Sequence, residues 1–233
     1  MTSHPFPFVL AFHVVCGFVA VAVGATALLA AKPLDGADGG WHRLAGGVFR
    51  VAQGAVIASA AVMTVLHFTP YFLGLTTGAL IAFFSGLRVL GRKRPDLDRR
   101  QRATVLDWAV TLVAAAIGVW LVLQADPKGP GAVVRSTAFS VLAYAAYDLY
   151  RFVHPLGAPF SPRLWLYEHL FKMTSAYFGA VAAFSGNFLI LFPEPWRQLW
   201  AVVVGQVLAV GLVVYHARRS PRADAVRARP RAA

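Results

Sequence analysis

Seven long apolar stretches limit what this chain can fold into more than any other feature of the sequence. About 20 apolar residues in an α-helix cross the hydrocarbon of a bilayer, and a helix satisfies its own backbone polar groups there. Turn-forming segments such as KPLDGADGG at 32–40 separate the stretches. The predicted helices span residues 7–31, 43–66, 70–91, 103–124, 132–153, 164–192 and 195–217. The sequence therefore predicts an all-α, polytopic membrane bundle with seven transmembrane helices.

Composition supports this class. The chain is 58% hydrophobic and 14% charged, whereas a soluble domain is about half apolar and a quarter charged. The net charge of +12 on so apolar a chain favours anionic lipid, not nucleic acid, as the partner. The single Cys16 excludes a disulfide framework within the chain. The first apolar run has no preceding Lys or Arg, so we expect a retained transmembrane helix and not a cleaved signal peptide.

Lysine and arginine are concentrated in alternate connecting segments, which predicts an orientation. With the N-terminus outside, the outer segments hold only Lys128, Arg135 and Arg197. The inner segments hold most of the other basic residues, among them those of RKRPDLDRR at 92–100 and the arginines after 217. We therefore expect an N-out, C-in transmembrane domain over 1–217. Residues 218–233 are predicted to be a basic, disordered tail that lies against anionic lipid in the cytoplasm.

Several ionisable residues fall inside the predicted helices, in the half nearer the cytoplasm. Such groups are costly in lipid, so they face the bundle interior or water and find partners. Arg50 lies roughly 10 Å from the inner end of its helix, which predicts a buried role. We expect the set to line a cytoplasm-facing site that binds or relays a proton, a metal ion or a small ligand. The predicted site residues are His42, Arg50, Asp107, Asp148, Glu168, His169 and Lys172.

A simpler interpretation of the same residues remains open. Charges near an interface can extend to water, and Glu168 and Lys172 are spaced as an ordinary pair four residues apart on one helix. The set could then belong to a structural or assembly subunit in which polar groups only hold the helices together.

The histidines leave two further alternatives. His42 and His169 are the candidate metal ligands. With His154 or His216 and with Asp107 or Asp148 they could hold the zinc of a membrane-embedded hydrolase. Two histidines at matched depth could instead ligate haem b in a redox protein. His13 shares a helix face with two glycines, so it points into the bundle as a separate candidate in the outer half. The residues do not decide whether the protein is an enzyme.

Four short motifs in order carry a family resemblance. They are H-x-x-x-G at His13 and Gly17, GG-x-HR-x-x-G from Gly39 to Gly46, Asp107-Trp108, and H-L-x-x-M at His169, Leu170 and Met173. The chain resembles a group of bacterial integral membrane proteins of unknown function. Their sixth helix typically reads Arg-His-Leu-Trp-Arg-Met, where this chain has Glu168, Phe171 and Lys172 at the variable places. The resemblance implies a bacterial cytoplasmic (inner) membrane location and singles out His13, His42, Asp107 and His169. It implies no particular activity.

Overall fold

The computed structural model describes residues 5–30, 39–126, 130–155 and 163–227. Within these ranges the chain forms seven α-helices and two short 3-10 turns, with no β-strand. The helices are α1 (Phe6–Leu29), α2 (Gly40–Leu66), α3 (Pro70–Arg88), α4 (Val105–Gln124), α5 (Pro130–Val153), α6 (Leu164–Phe188) and α7 (Trp196–Arg227). The predicted all-α, seven-helix fold class is confirmed.

The helix bounds differ most from the prediction around α6 and α7. Helix α6 ends at Phe188 instead of 192, because Pro193 and Pro195 cannot continue a helix and restrict the residues before them. Helix α7 continues to Arg227, whereas we expected an irregular tail from 218. Alanine and arginine are strong helix formers, which explains the extension. Residues 228–233 of the predicted tail lie outside the described residues.

Helices α3 and α6 are the centre of the bundle. Helix α3 packs against α2, α4, α5 and α6, and α6 packs against α1, α3 and α7. The largest buried cluster draws on α1, α2, α3 and α6 and includes Ala20, Phe49, Phe83 and Ala176. Small residues let the helices approach closely: a methyl group at Gly24 would lie 2.5 Å from the ring of Tyr177. Helices α3 and α6 also pack closely, and the side chains at their interface, such as Phe83 and Ala176, are buried.

The outer surface of the bundle is apolar. Large exposed side chains such as Phe8, Val65 and Leu123 cover it, as lipid contact requires and water does not. In the described part of the chain, five helices are long and apolar enough to cross a membrane, namely α1, α2, α3, α4 and α7. Helices α5 and α6 are outside that set, and they carry Asp148, Glu168 and Lys172. The architecture is that of a multi-pass membrane protein.

One end of the bundle gathers the charged residues. The C-terminal ends of α3 and α5 meet the N-terminal ends of α4 and α6 there, as ion pairs between Arg88 and Asp107 and between Arg151 and Glu168 demonstrate. The arginine-rich segment between α3 and α4 lies at the same end. We call this region the basic end.

Candidate functional site

Asp148 and Lys172 form a buried ion pair between α5 and α6. Lys172 Nζ donates to Asp148 Oδ1 at 2.5 Å, and the two side chains are 1% and 3% exposed. Lys172 lies eight residues into α6, which is about 12 Å from its first residue. Its ammonium also lies 5.4 Å from the centre of the Tyr147 ring. The sequence predicted both residues at the site, and the structure brings them together.

The second oxygen of this carboxylate is the unusual atom of the pair. Asp148 Oδ2 is buried and accepts no hydrogen bond from the described residues. A buried carboxylate normally has its oxygens satisfied by donors, and an unmet acceptor in a low-dielectric interior is costly. Asp148 also lines a cavity at the basic end. The oxygen that lacks a donor among the described residues therefore belongs to a side chain that borders a water-sized opening.

The cavity lies between the ends of α5 and α6 and the segment before α4. Its volume is about 30 Å³, which is enough for a single water molecule. It is lined by Arg92, Pro95, Arg102, Ala103, Asp148, Arg151, Phe152, Pro155 and Glu168. Sequence reasoning included only the two carboxylates of this set. It used the three arginines as indicators of orientation and did not expect them to turn towards the bundle.

Glu168 joins α6 to α5 beside the cavity. Its Oε1 accepts from Arg151 Nε at 2.9 Å and from the Tyr147 hydroxyl at 2.7 Å. The alternative pair between Glu168 and Lys172 within α6 is not among the ion pairs of the described residues. Each side chain instead pairs with an opposite charge on α5, Arg151 and Asp148 respectively.

Asp107 has a structural environment. Arg88 donates to both of its oxygens, at 2.8 and 2.9 Å, and the backbone N–H and hydroxyl of Thr104 donate at 2.8 and 2.7 Å. Thr104 and Asp107 form a capping box at the start of α4. The T-x-x-D spacing was visible in the sequence and identifies this role. Asp107 thus closes the N-terminus of α4 and ties it to α3, although it lies at the same end as the cavity.

His42 and His169 each use Nδ1 to hold a neighbouring helix. His42 Nδ1 lies 2.9 Å from the carbonyl oxygen of Ala27 in α1, and His169 Nδ1 lies 3.0 Å from that of Gly86 in α3. A carbonyl oxygen only accepts, so Nδ1 of each ring carries a hydrogen, and Nε2 is the nitrogen that a neutral imidazole would offer to a metal. This tautomer suits a metal ligand with a second-shell partner.

A complete metal site is not assembled around the two histidines. In the described ranges, no group of three or more His, Cys, Asp or Glu side chains could hold a metal ion. His154, proposed as a third ligand, is exposed and stacks on Tyr150. Asp107 and Asp148, the proposed carboxylate partners, are engaged by Arg88 and Lys172. The zinc and haem b assignments remain predictions from the sequence.

Arg50 lies apart from the cluster. Its side chain is exposed on α2, whereas its neighbour Phe49 and Gln53 one turn on are buried. Successive helical residues are about 100° apart, so a helix that buries Phe49 and Gln53 turns Arg50 outwards. The expected buried role of Arg50 is wrong for this reason. A long arginine on such a surface can extend its guanidinium along the helix towards polar surroundings.

His13 points into the bundle, as its glycine-lined helix face predicted. Its Nδ1 lies 3.0 Å from Ser59 Oγ and 3.2 Å from the carbonyl oxygen of Val56, both on α2. It lies near the N-terminal end of α1, whereas α1 reaches the basic end at Ala27. The contacts join α1 to α2, and His13 takes no part in the cavity.

Polar groups continue from the ion pair towards the middle of the bundle. The buried Tyr144 hydroxyl, one turn before Asp148 on α5, lies beside Ser175 and Gln206 without a hydrogen bond of standard geometry. Gln206 Nε2 on α7 donates to Ser175 Oγ on α6 at 3.2 Å. Tyr144 shares a face of α5 with Asp148, four residues on, and Ser175 shares a face of α6 with Lys172, three residues before it. The result is a run of exchangeable groups from the cavity inwards.

The fold and the buried charges together define a multi-pass membrane protein with a buried polar cluster between its helices. Among the known proteins compared with the chain, no family model, curated protein or solved structure matches it. The function must therefore be argued from the cluster itself.

Proposed function

We propose that this chain is a seven-span protein of the bacterial inner membrane in which the Asp148–Lys172 pair takes up and relays a proton. In this proposal the N-terminus is outside, the basic end faces the cytoplasm, and the cavity is the proton's entrance. The observation that carries the proposal is Asp148 Oδ2, which is buried and accepts no hydrogen bond from the described residues. It belongs to a carboxylate that lines a water-sized cavity and is already paired with Lys172.

The orientation is supported by charge. The basic end holds the arginine-rich segment between α3 and α4, and cytoplasmic loops carry the excess of Lys and Arg in membrane proteins. Helices α5 and α6 depart from the apolar composition of the other five, and they supply both members of the ion pair. Their polar faces are turned towards each other, which suits spans that are shielded by the surrounding helices.

A buried ion pair is a poor device for stability alone. Removing two charges from water costs several kcal/mol per ion, and apolar replacements of similar volume are often neutral or better. Ionisable groups inside a membrane span are accordingly functional candidates. The Arg88–Asp107 contact differs from the Asp148–Lys172 pair because all of its acceptors are satisfied, so we assign it to structure.

The relay can be written with every proton accounted for. A proton from water in the cavity binds Asp148 Oδ2, and the carboxylate becomes a neutral carboxyl group. Lys172 releases one proton to a water molecule beside Tyr144, Ser175 and Gln206, which carries it inwards as hydronium. The Asp148 carboxyl group then rotates so that its proton faces the neutral Nζ and transfers to it across the 2.5 Å contact. One proton enters and one moves on, and the pair returns to its charged form. Tyr147, Glu168 and the lining arginines surround this exchange.

Proton uptake by Asp148 is testable on the purified protein. In infrared difference spectra across a pH step, we expect a protonated-carboxyl band that shifts in D₂O and that disappears in Asp148→Asn. Glu168→Gln is the matched control, because Glu168 lines the same cavity but its Oε1 accepts from Arg151 and Tyr147, so the band should persist. In liposomes with an imposed membrane potential, wild type should transfer protons and Lys172→Met should not.

One result would favour the structural subunit instead. If no carboxyl band depends on Asp148 and the liposomes show no proton transfer above empty vesicles, the pair only joins α5 to α6. The capping box at Asp107 is the observation that favours a structural role, because a charged residue at the same end of the bundle serves there only to hold helices together.

A further inference from the structure

The arginines at the cavity mouth outnumber the acids that can neutralise them. Arg151 is paired with Glu168, Lys172 with Asp148, and Arg88 with Asp107. Arg92 and Arg102 also line the cavity, and Arg92 reaches Asp107 only at 4.0 Å, beyond the bidentate contact that Arg88 already makes. Among the described residues, two guanidinium charges are therefore in excess around one small opening.

Arg92 is held in place with one donor unused. Its guanidinium carbon lies 5.0 Å from the centre of the Phe152 ring, and its side chain is 11% exposed. Its Nε–H is buried and meets no acceptor among the described residues. An arginine fixed by an aromatic ring and missing an acceptor is prepared for an oxygen ligand, because a buried donor left unmet is costly.

We propose that Arg92 and Arg102 bind a phosphate group at the mouth of this cavity. Guanidinium forks match the oxygens of phosphate and bind them with charge-assisted hydrogen bonds. The enclosed volume of about 30 Å³ takes one oxygen-sized atom. One phosphate oxygen can enter towards Arg92 Nε, and the rest of the group lies in the open mouth near the more exposed Arg102. A bound phosphate oxygen would occupy the opening that the proposed relay uses as its entrance, but phosphate binding is measured without any proton transfer, so the two proposals can fail separately.

The same chemistry can come from two sources. A phospholipid headgroup lies at the level of this end if the chain spans the membrane as proposed, and basic pockets between helices bind such headgroups. Inorganic phosphate or a soluble phosphomonoester offers the same oxygens from the aqueous side. The shared ligand is the phosphate group, and the experiment separates the sources.

The test measures ligand-dependent stabilisation of the full-length protein in nanodiscs. One arm uses phosphatidylcholine nanodiscs with added inorganic phosphate, and the other adds increasing phosphatidic acid to the same lipid. A ligand that binds only the folded state raises Tm in a saturable way. We expect saturable stabilisation in at least one arm, and a roughly tenfold weaker midpoint in Arg92→Gln and in Arg102→Gln, because each loses a charge-assisted contact.

Arg99→Gln and Arg100→Gln are the matched controls. Both residues are exposed on the same segment and neither lines the cavity, so the midpoint should change less than about twofold, within the scatter of surface charge effects. A response to phosphatidic acid alone assigns the site to lipid, and a response to both ligands assigns it to the phosphate group in general. The proposal fails if neither ligand gives saturation, or if Arg99→Gln weakens the midpoint as much as Arg102→Gln. Arg102 is exposed, so its variant keeps the test valid if Arg92→Gln misfolds.

Discussion

Replacing Lys172 by methionine should destabilise the protein strongly, because it leaves Asp148 buried without a partner. At 2.5 Å and an effective dielectric constant of about 20, the attraction between the two charges is about 7 kcal/mol. That attraction offsets a desolvation cost of several kcal/mol for each ion. The single variant loses the attraction and keeps the desolvation of the carboxylate, and removing one partner of a buried pair typically costs about 3–5 kcal/mol. Asp148 Oδ2 already accepts no hydrogen bond from the described residues. Removing the Lys172 ammonium therefore leaves neither oxygen of the carboxylate with a donor among them.

The double variant Asp148→Leu/Lys172→Met should recover most of that loss. It removes both desolvation terms together with the attraction, and apolar replacements of buried pairs are often neutral or stabilising. The assay is a double-mutant cycle on the free energy of unfolding, measured by denaturation in mixed detergent micelles. A strongly non-additive cycle, with the double variant more stable than either single one, is the expected result.

Additive losses, or a Lys172→Met loss below about 1 kcal/mol, would refute the reasoning, since that is the range of an exposed pair. Arg94→Gln provides the comparison. Arg94 and Asp96 form a partly exposed pair in the segment between α3 and α4, with side chains 38% and 15% exposed, and its loss should cost no more than about 1 kcal/mol.

Two further predictions concern packing and pH. Gly205→Ala should destabilise by about 1–3 kcal/mol, because the added methyl would lie 2.5 Å from Cγ of Phe178 on α6. Gly211→Ala, in the same helix with nothing within 4 Å, should be neutral in the same denaturation assay. The hydrogen bond from Arg94 holds the pKa of Asp96 below its ordinary 3.8. Any stabilisation from this pair is present above 3.8 and is lost as the pH falls through the folded-state pKa. Carbon-detected NMR should show this low titration, with a return towards the ordinary value in Arg94→Gln.

The helices were predictable because the signals that define them are local. Apolar length, proline and glycine in the connections, and the Thr69 and Thr104 caps act within a few residues. The start of α6 was predicted at 164 and lies at Leu164, just after the proline-containing segment HPLGAPFSPR. Where a local signal was weaker, as beyond 217 in α7, the predicted boundary differed from the observed one.

The sequence was a weaker guide to which charged residues of the cluster form ion pairs, because the pairing depends on how each helix is rotated about its axis. The spacing of Glu168 and Lys172 allowed a pair within α6. In the structure, Glu168 pairs instead with Arg151, and Lys172 with Asp148, both on α5. Depth along α2 suggested that Arg50 is buried, but the rotation that buries Phe49 excludes it. Sequence position fixes how deep a residue lies. It does not fix which side of its helix faces the bundle.

The cavity depends on both kinds of information, and this explains why its arginines were missed. Arg92, Arg102 and Arg151 lie in or beside connecting segments, where positive charge has a sufficient explanation in membrane orientation. Only the packing of α5 and α6 shows that these three turn towards Asp148 and Glu168 around one opening. The same residues can therefore set the orientation and line a site. Orientation requires only that these residues be basic, whereas the phosphate site requires arginine at positions 92 and 102. Comparing glutamine substitutions of Arg92 and Arg102 with those of Arg99 and Arg100 therefore separates the two roles.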